Sequence, residues 1–389
     1  MIEDKTMDTY KRTGVVLVRG SGSTLEDENG KTYIDFTSGI GVSSLGHAHP
    51  ALVKTIAEQA ARLIHVSNYY QTREAAQLSV ELCAAAGMDA VFLCNSGAEA
   101  NECAIKIARK WGEGRGPKGA SKSRIVTLIG SFHGRTVTTL AATGQEKFHA
   151  HFAPLTPGFS HVPANDTAAL DAALADDVCA LMIEPLQGES GVVPLDDRYI
   201  EQAARLCAAR GVLFIADEIQ CGFGRTGSFL AIDRLGIKPD VVTMAKGLAG
   251  GIPIGAALAR GEAARVLGKG DHGTTFGGNP LAAAAARTVL ATLLSPHFLD
   301  SVARKGGRML SVIQSWKHPL VLEVRGRGLM IGIVVSIAPD TVKMKCIEKG
   351  LLVLTAGENV VRLLPPLVIG DEEIDRGLEI LRKVLDDLM

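Results

Sequence analysis

The stretch VVTMAKGLAGG, Val241–Gly251, decides how the rest of the chain is read. Val241–Ala245 reads as a strand buried on both faces. It runs straight into one lysine, Lys246, and then into a glycine-rich turn. A solvated lysine just past a strand is the ordinary case, so its neighbours must decide whether this one is different. Working outward, AVFLC (Ala90–Cys94), RIVTLIG (Arg124–Gly130), CALMIEP (Cys179–Pro185) and GVLFIAD (Gly211–Asp217) are further short runs, apolar almost throughout. Helical segments such as IEQAARLCAAR (Ile200–Arg210) separate them. Strands of this kind need cover on both faces, so the pattern predicts an α/β fold with a mostly parallel sheet flanked by helices.

The 389 residues are 47% hydrophobic and 21% charged, enough for a large core and two or three domains. Acidic and basic residues nearly cancel, leaving a formal charge of −1. That balance argues against nucleic acid and against a membrane surface as partners. No run approaches the length of a membrane span, and the polar start MIEDKTMDTYKRTG has no apolar secretory core. The seven cysteines are odd in number and scattered, with no CxxC pair, which predicts reduced core thiols in a cytoplasmic protein.

Toward the N-terminus, VVLVRGSGSTLEDENGKTYIDF (Val15–Phe36) reads as short strands around an Asn29-Gly30 hairpin turn, followed by a helix with Pro50 in its first turn. NPLAAAAARTVLATLL (Asn279–Leu294) is a strong helix former leading to a last domain. There GLMIGIVVS, GLLVLTA and NVVRLLPP read as strands, and DEEIDRGLEILRKVLDDL as an amphipathic helix capped by Asp371.

Ligands collect at the carboxyl ends of strands in α/β sheets. Lys246, Asp217 and Glu184 all stand at such ends. In CNSGAEANECAIKIARKW (Cys94–Trp111) a strand becomes a helix whose first residues, Ser96, Gly97 and Ala98, are small enough for backbone N–H groups to approach an anion. The motif is not a P-loop, and helices often start with Ser-Gly for capping alone. GSFHGRT (Gly130–Thr136) places an aromatic, Phe132, and a cation, Arg135, beside the same crevice. Asp217, followed by the glycine loop of ADEIQCGFGRTG (Ala216–Gly227), is costly to bury without a cationic partner. Metal binding is the competing use, but His47 and His49 lack a further ligand at short spacing. A lysine to condense with an aldehyde, a carboxylate under a ring nitrogen, an anion cup and an aromatic face are what pyridoxal phosphate requires.

With these parts in place, the chain resembles the class III aminotransferases of pyridoxal-phosphate fold type I. The resemblance is carried by YIDFTSGIGVSSLGHAHP, NSGAEANE, SFHGRT, IEPLQGESG, ADEIQCGFGRTG, TMAKGLAGG, TTFGGNP and RLLPPL, in that order. It implies a large cofactor-binding domain over 46–280. A small α+β domain would be built from both chain ends, 1–45 and 301–389, with a connecting helix over 281–300. It implies that Lys246 forms the Schiff base, Asp217 partners the pyridinium nitrogen, Gln220 lies near the ring hydroxyl and Phe132 stacks on the ring. Gly97 and Ala98 would bind the phosphate. Thr275 would reach the phosphate of a neighbouring subunit, so a homodimer with shared sites is implied. Thr274 matches a position near the substrate that is usually serine. Arg135 would hold a substrate carboxylate, and Glu189 and Arg362 would form a pair that opens to admit glutamate.

The implied substrates are N-acetylornithine as amino donor and 2-oxoglutarate as acceptor, a step of arginine biosynthesis. Ornithine aminotransferases have a tyrosine where Ile40 falls, to hold a free α-amino group; an isoleucine favours an acylated or absent one. Succinyldiaminopimelate, ornithine and 4-aminobutyrate remain alternatives, as does an aminomutase. Glu189 and Arg362, which serve a separate acceptor, speak against the last. A catalytically dead scaffold is disfavoured by the presence of both Lys246 and Asp217.

Overall fold

The apolar runs that flank Lys246 pair side by side in a computed structural model, which describes residues 5–389. They form a seven-stranded sheet in the order Ala90–Cys94, Gly255–Ala259, Val241–Met244, Leu213–Asp217, Val178–Ile183, Arg124–Leu128, Phe159–Val162. Six of its seven strands run in one direction, and Gly255–Ala259 alone is antiparallel, to both its neighbours. Successive residues of one strand enter two different cores. Leu213 and Ile215 pack with Cys103, Ala104 and Ile107 of the helix Gly97–Trp111. Phe214 and Ala216 pack with Tyr199, Ala203 and Cys207 of the helix Asp197–Arg210. Both faces are therefore dry, which is why these strands are apolar almost throughout rather than alternating.

Two strands of the sheet lie outside the apolar runs read from sequence. Phe159–Val162 is a partly buried edge strand with polar residues at two of its four positions. Gly255–Ala259, sequence GAALA, has little intrinsic β preference. Its small side chains answer a demand for space, because a Cβ at Gly255 would sit against the Ser96 carbonyl oxygen, far inside van der Waals contact.

The hairpin turn at Asn29-Gly30 is present, with Gly30 at φ 79° and the Asp27 carboxylate accepting from the amides of Asn29 and Lys31. The strands Leu17–Ser21, Thr24–Asp27 and Thr32–Asp35 are joined in parallel register by Leu351–Leu352 from the other end of the chain. A second small sheet is antiparallel: Val321–Arg327, Met330–Val335, Val360–Leu363, Leu354–Ala356. Thus GLLVLTA, expected as one strand, splits at Val353 between two sheets. The stretch 281–300, expected as one connecting helix, holds parts of two, Pro280–Leu293 and Phe298–Ser315. They break where Pro296 precedes His297 in left-handed geometry. The last helix, Asp371–Asp386, is capped by Gly370 and not by Asp371, whose carboxylate instead binds Arg304 and Arg308 while remaining in the favourable first turn. All seven cysteines are free thiols.

The strand order brings the carboxyl ends at Leu128, Ile183, Asp217 and Met244 to one edge of the sheet, so whatever follows each strand is delivered to one crevice. The fit at Gly255 controls part of that edge. Gly255→Ala is expected to cost about 1–3 kcal/mol by overpacking, read from denaturant unfolding. An unchanged stability would show that the Ser96 carbonyl can yield.

Candidate active site

Lys246 opens a short 3-10 turn, Lys246–Ala249, immediately beyond the strand Val241–Met244. Ser44, from the N-terminal segment, donates its hydroxyl to the Gly247 carbonyl at 3.0 Å and ties this turn down. Loss of hydration lowers the Lys246 pKa from its ordinary 10.5; Arg362 adds to the lowering, while Glu189, Glu184 and Asp217 oppose it. Four charged groups from distant parts of the chain thus act on one side-chain nitrogen.

Asp217 is buried, with 2% of its surface exposed. Its Oδ2 accepts from Asn101 Nδ2 and meets His133 Nδ1, each at 2.8 Å, and its Oδ1 accepts from the Ile219 amide at 3.1 Å. Asn101 Nδ2 also donates to the His133 carbonyl at 2.7 Å. Asn101 and His133 were not read from the sequence as site residues. The signal for Asn101 was a polar residue on the apolar stripe of its helix. For His133 it was the place between Phe132 and Arg135. Among the described residues no lysine or arginine pairs with Asp217.

Ser96 caps the helix Gly97–Trp111, its hydroxyl accepting from the Glu99 amide at 3.2 Å. Gly97 and Ala98 occupy the first two helical positions, where an N–H has no acceptor inside the helix. A Cβ at Gly97 would lie 2.8 Å from Ile219, the residue whose amide reaches Asp217. The cup, the apolar face of Ile219 and the carboxylate are therefore contiguous.

Phe132 is half-buried, and its amide donates to Glu184 Oε2 at 2.9 Å. The other Glu184 oxygen accepts from the Gly188 amide at 3.3 Å. Burial pushes the Glu184 pKa up to about 7, against the pull of His133. Glu184 thus braces Phe132 on one side and the segment leading to Glu189 on the other.

Glu189, Gln220 and Arg362 form a clasp. Arg362 Nη1 donates to Glu189 Oε1 at 2.7 Å, to Gln220 Oε1 at 2.9 Å and to the Gly188 carbonyl at 3.1 Å. Gln220 Nε2 donates to the same Glu189 oxygen at 2.9 Å. Burial alone would raise the Glu189 pKa, but Arg362 and then Lys246 hold it down at about 2. Gln220, expected near a ring hydroxyl, has both ends of its amide engaged in this clasp.

The remaining expected residues are placed differently. The Arg135 guanidinium is exposed and stacks over Phe148 at 4.1 Å and Phe132 at 5.5 Å. The Thr274 hydroxyl accepts from Asn95 Nδ2 at 3.1 Å and from the Gly277 amide at 3.2 Å, so it holds a turn next to Ser96. Thr275 and Ile40 are exposed, Ile40 on left-handed backbone, and no hydrogen bond links either side chain to the cluster among the described residues. Lys246, Asp217, Phe132, Gln220, Glu189 and Arg362 are brought together. A cationic heterocycle over Asp217, an anion at Gly97-Ala98 and an aldehyde at Lys246 all suit the donors present, so the residues fit pyridoxal phosphate.

Comparison with known proteins agrees with this geometry. The chain is 48% identical to the acetylornithine aminotransferase of Gloeobacter violaceus over 388 residues, covering 98% of this chain and 96% of the relative. It is 46% identical to that of Haemophilus ducreyi, covering 98% and 96%. Among solved structures, the ornithine aminotransferase of Toxoplasma gondii ME49 superposes with a TM-score of 0.94 at 35% identity, covering 99% of this chain and 93% of that one. The N-acetylornithine aminotransferase of Stenotrophomonas maltophilia K279a superposes at 0.84 and 39%, covering 97% of each. The profile of the class-III aminotransferases matches residues 6–385, and the chain belongs to that family.

Proposed function

We propose that this chain moves the terminal amino group of N-acetylornithine to 2-oxoglutarate, using pyridoxal phosphate, as a step of arginine biosynthesis. The observation that carries this reading is the Glu189–Gln220–Arg362 clasp within electrostatic reach of Lys246. Such a clasp is a cation that can be withheld from one substrate and given to another.

Gly97 and Ala98 would hold the cofactor phosphate, Asp217 its ring nitrogen, Phe132 one ring face and Lys246 its aldehyde. When bound, the cofactor takes up the amino group and spreads the negative charge that develops at the reacting carbon. Lys246 then works as a proton carrier. Its lowered pKa favours the neutral amine, which can take a proton from the substrate carbon and return one. Asp217 is held in place by Asn101, His133 and the Ile219 amide, so its carboxylate would face the ring nitrogen.

N-acetylornithine carries its carboxylate far from the reacting amine, and Arg135 receives it as a two-pronged pair. The closed clasp then offers the reacting end no free charge. 2-Oxoglutarate has a second carboxylate beside its reacting carbonyl, and this one takes Arg362 from Glu189. Ile40 gives no hydrogen bond to a free α-amine, which favours the acylated donor over ornithine despite the superposition on the Toxoplasma enzyme.

A homodimer with Thr275 reaching the partner's site fits the surface. Ile40, Tyr69, Tyr70 and Phe276 are between 42% and 95% exposed. Asn68 ties two of these segments together through the Thr274 and Gly277 carbonyls. Apolar groups gathered on neighbouring segments mark an interface. A cytoplasmic setting fits the seven free thiols.

Lys246→Ala is expected to abolish turnover and Asp217→Ala to cost several orders of magnitude in kcat. Tested in turn with 2-oxoglutarate, N-acetylornithine should exceed succinyldiaminopimelate, ornithine and 4-aminobutyrate in kcat/KM. Ornithine as the favourite would overturn the role given to Ile40. The clasp has its own test in acid. The Glu189 pKa is about 2 when folded against an ordinary 4.5, so its stabilisation is complete above pH 4.5 and is lost as pH falls through 2. Glu189→Gln should therefore destabilise the protein by about 3 kcal/mol at pH 7. The gap to wild type should close between pH 4.5 and 2 in urea unfolding, whereas a gap constant with pH would mean that the pair is not ionic.

A further inference from the structure

We infer that Phe148 is a positioning residue for substrate, acting through Arg135. This rests on the proposed role of Arg135 and adds a residue to it. The Arg135 guanidinium lies 4.1 Å from the Phe148 ring centre, nearer than its 5.5 Å from Phe132. The two rings meet edge to face at 5.7 Å. A charged planar group is thus held in the angle between two aromatic faces, in an orientation set by the rings.

Phe148 is itself fixed. It sits on the short helix Glu146–His149, whose two ends are pinned. Gln145 Nε2 donates to the carbonyls of Gly130 at 3.2 Å and Ser131 at 3.1 Å, just before Phe132. His149 Nε2 meets the carbonyls of Leu140 at 2.9 Å and Thr143 at 2.8 Å. The Lys147 ammonium lies 5.0 Å over the same Phe148 ring. One ring therefore carries two cations. Among the described residues no carboxylate forms an ion pair with either. Among the described residues the N–H edge of Arg135 has no protein acceptor, so it is left for a ligand. Two unneutralised cations with a fixed fork between rings suit the carboxylate of an amino-acid donor.

An aromatic ring that only filled space would not distinguish a substrate with a carboxylate from one without. N-acetylputrescine, which is N-acetylornithine less its carboxylate, makes that distinction. With saturating 2-oxoglutarate, Phe148→Leu should raise KM for N-acetylornithine roughly 2- to 5-fold, the range set by losing one exposed cation–π contact, with kcat nearly unchanged. Its kcat/KM for N-acetylputrescine should equal that of wild type, and Phe148→Tyr, which keeps the ring, should restore KM. If Phe148→Leu keeps the wild-type preference for N-acetylornithine, or loses activity equally on both donors, the inference falls while the role of Arg135 stands. If wild type itself shows no preference between the two donors, the role of Arg135 falls first and this inference with it. Should Phe148→Leu not fold, Phe148→Met carries the same comparison.

Discussion

Burying the Asp217 carboxylate in a dry interior is the constraint around which the site is organised. With 2% of its surface exposed, an ionised carboxylate there is costly unless donors surround it. The donors come from three elements: Asn101 from the helix Gly97–Trp111, His133 from the loop after Arg124–Leu128, and the Ile219 amide just beyond its own strand. One carboxylate therefore fixes a helix, a loop and a strand end relative to each other. The same helix carries Gly97 and Ala98 at its start and Asn101 one turn later. A rise of about 1.5 Å per residue sets the separation between anion cup and carboxylate, and no loop can vary it.

The clasp at Arg362 obeys a different logic. Glu189 Oε1 serves two donors, Gln220 Oε1 serves Arg362 as well, and the buried Nε of Arg362 has no acceptor among the described residues. The pair is strong enough to hold the Glu189 pKa at about 2, yet its hydrogen-bonding capacity is only partly filled. Replacing Glu189 by a ligand carboxylate exchanges one anion for another around the same cation. The Gly188 carbonyl is a further acceptor for the same cation. The net free-energy change is then a difference between two similar ion pairs, and a small difference permits reversible opening.

The strand ends were legible in the sequence because buried parallel strands carry few polar and hardly any charged residues, so a Lys, Asp or Glu stands out at their termini. The helix start at Ser96 was legible for the same kind of reason, small residues before an apolar stripe. Other features depended on space or on distant partners. GAALA is a strand because it pairs with Val241–Met244 and Ala90–Cys94, and its Gly255 leaves room for the Ser96 carbonyl, in a loop about 160 residues earlier. Asp371 has the composition of a cap, but the charges of Arg304 and Arg308 draw its side chain outward and leave capping to Gly370. Gln220, in the turn after Leu213–Asp217, and Arg362, in the strand Val360–Leu363, are 142 residues apart, so their contact follows from how distant parts of the chain meet. Asn101 was readable in principle. A fully buried amide on an apolar helical face must have a partner, and a carboxylate at a strand end was the available one.

In the proposed reaction two arginines, one buried and one exposed, would divide the recognition of two substrates. Arg362 is neutralised by Glu189, so it attracts nothing until a ligand supplies a carboxylate at the place Glu189 holds. Arg135 keeps its charge open to solvent and is oriented by aromatic faces instead of by an acid. A ring face offers a cation attraction without occupying its N–H groups, whereas a carboxylate partner would occupy them. In that reading the exposed cation would take a donor with a distal carboxylate, and the buried one would answer only a molecule with a second carboxylate next to the reacting carbon. Discrimination between the half-reactions then follows from the partner each arginine keeps at rest, an acid for one and a pair of rings for the other.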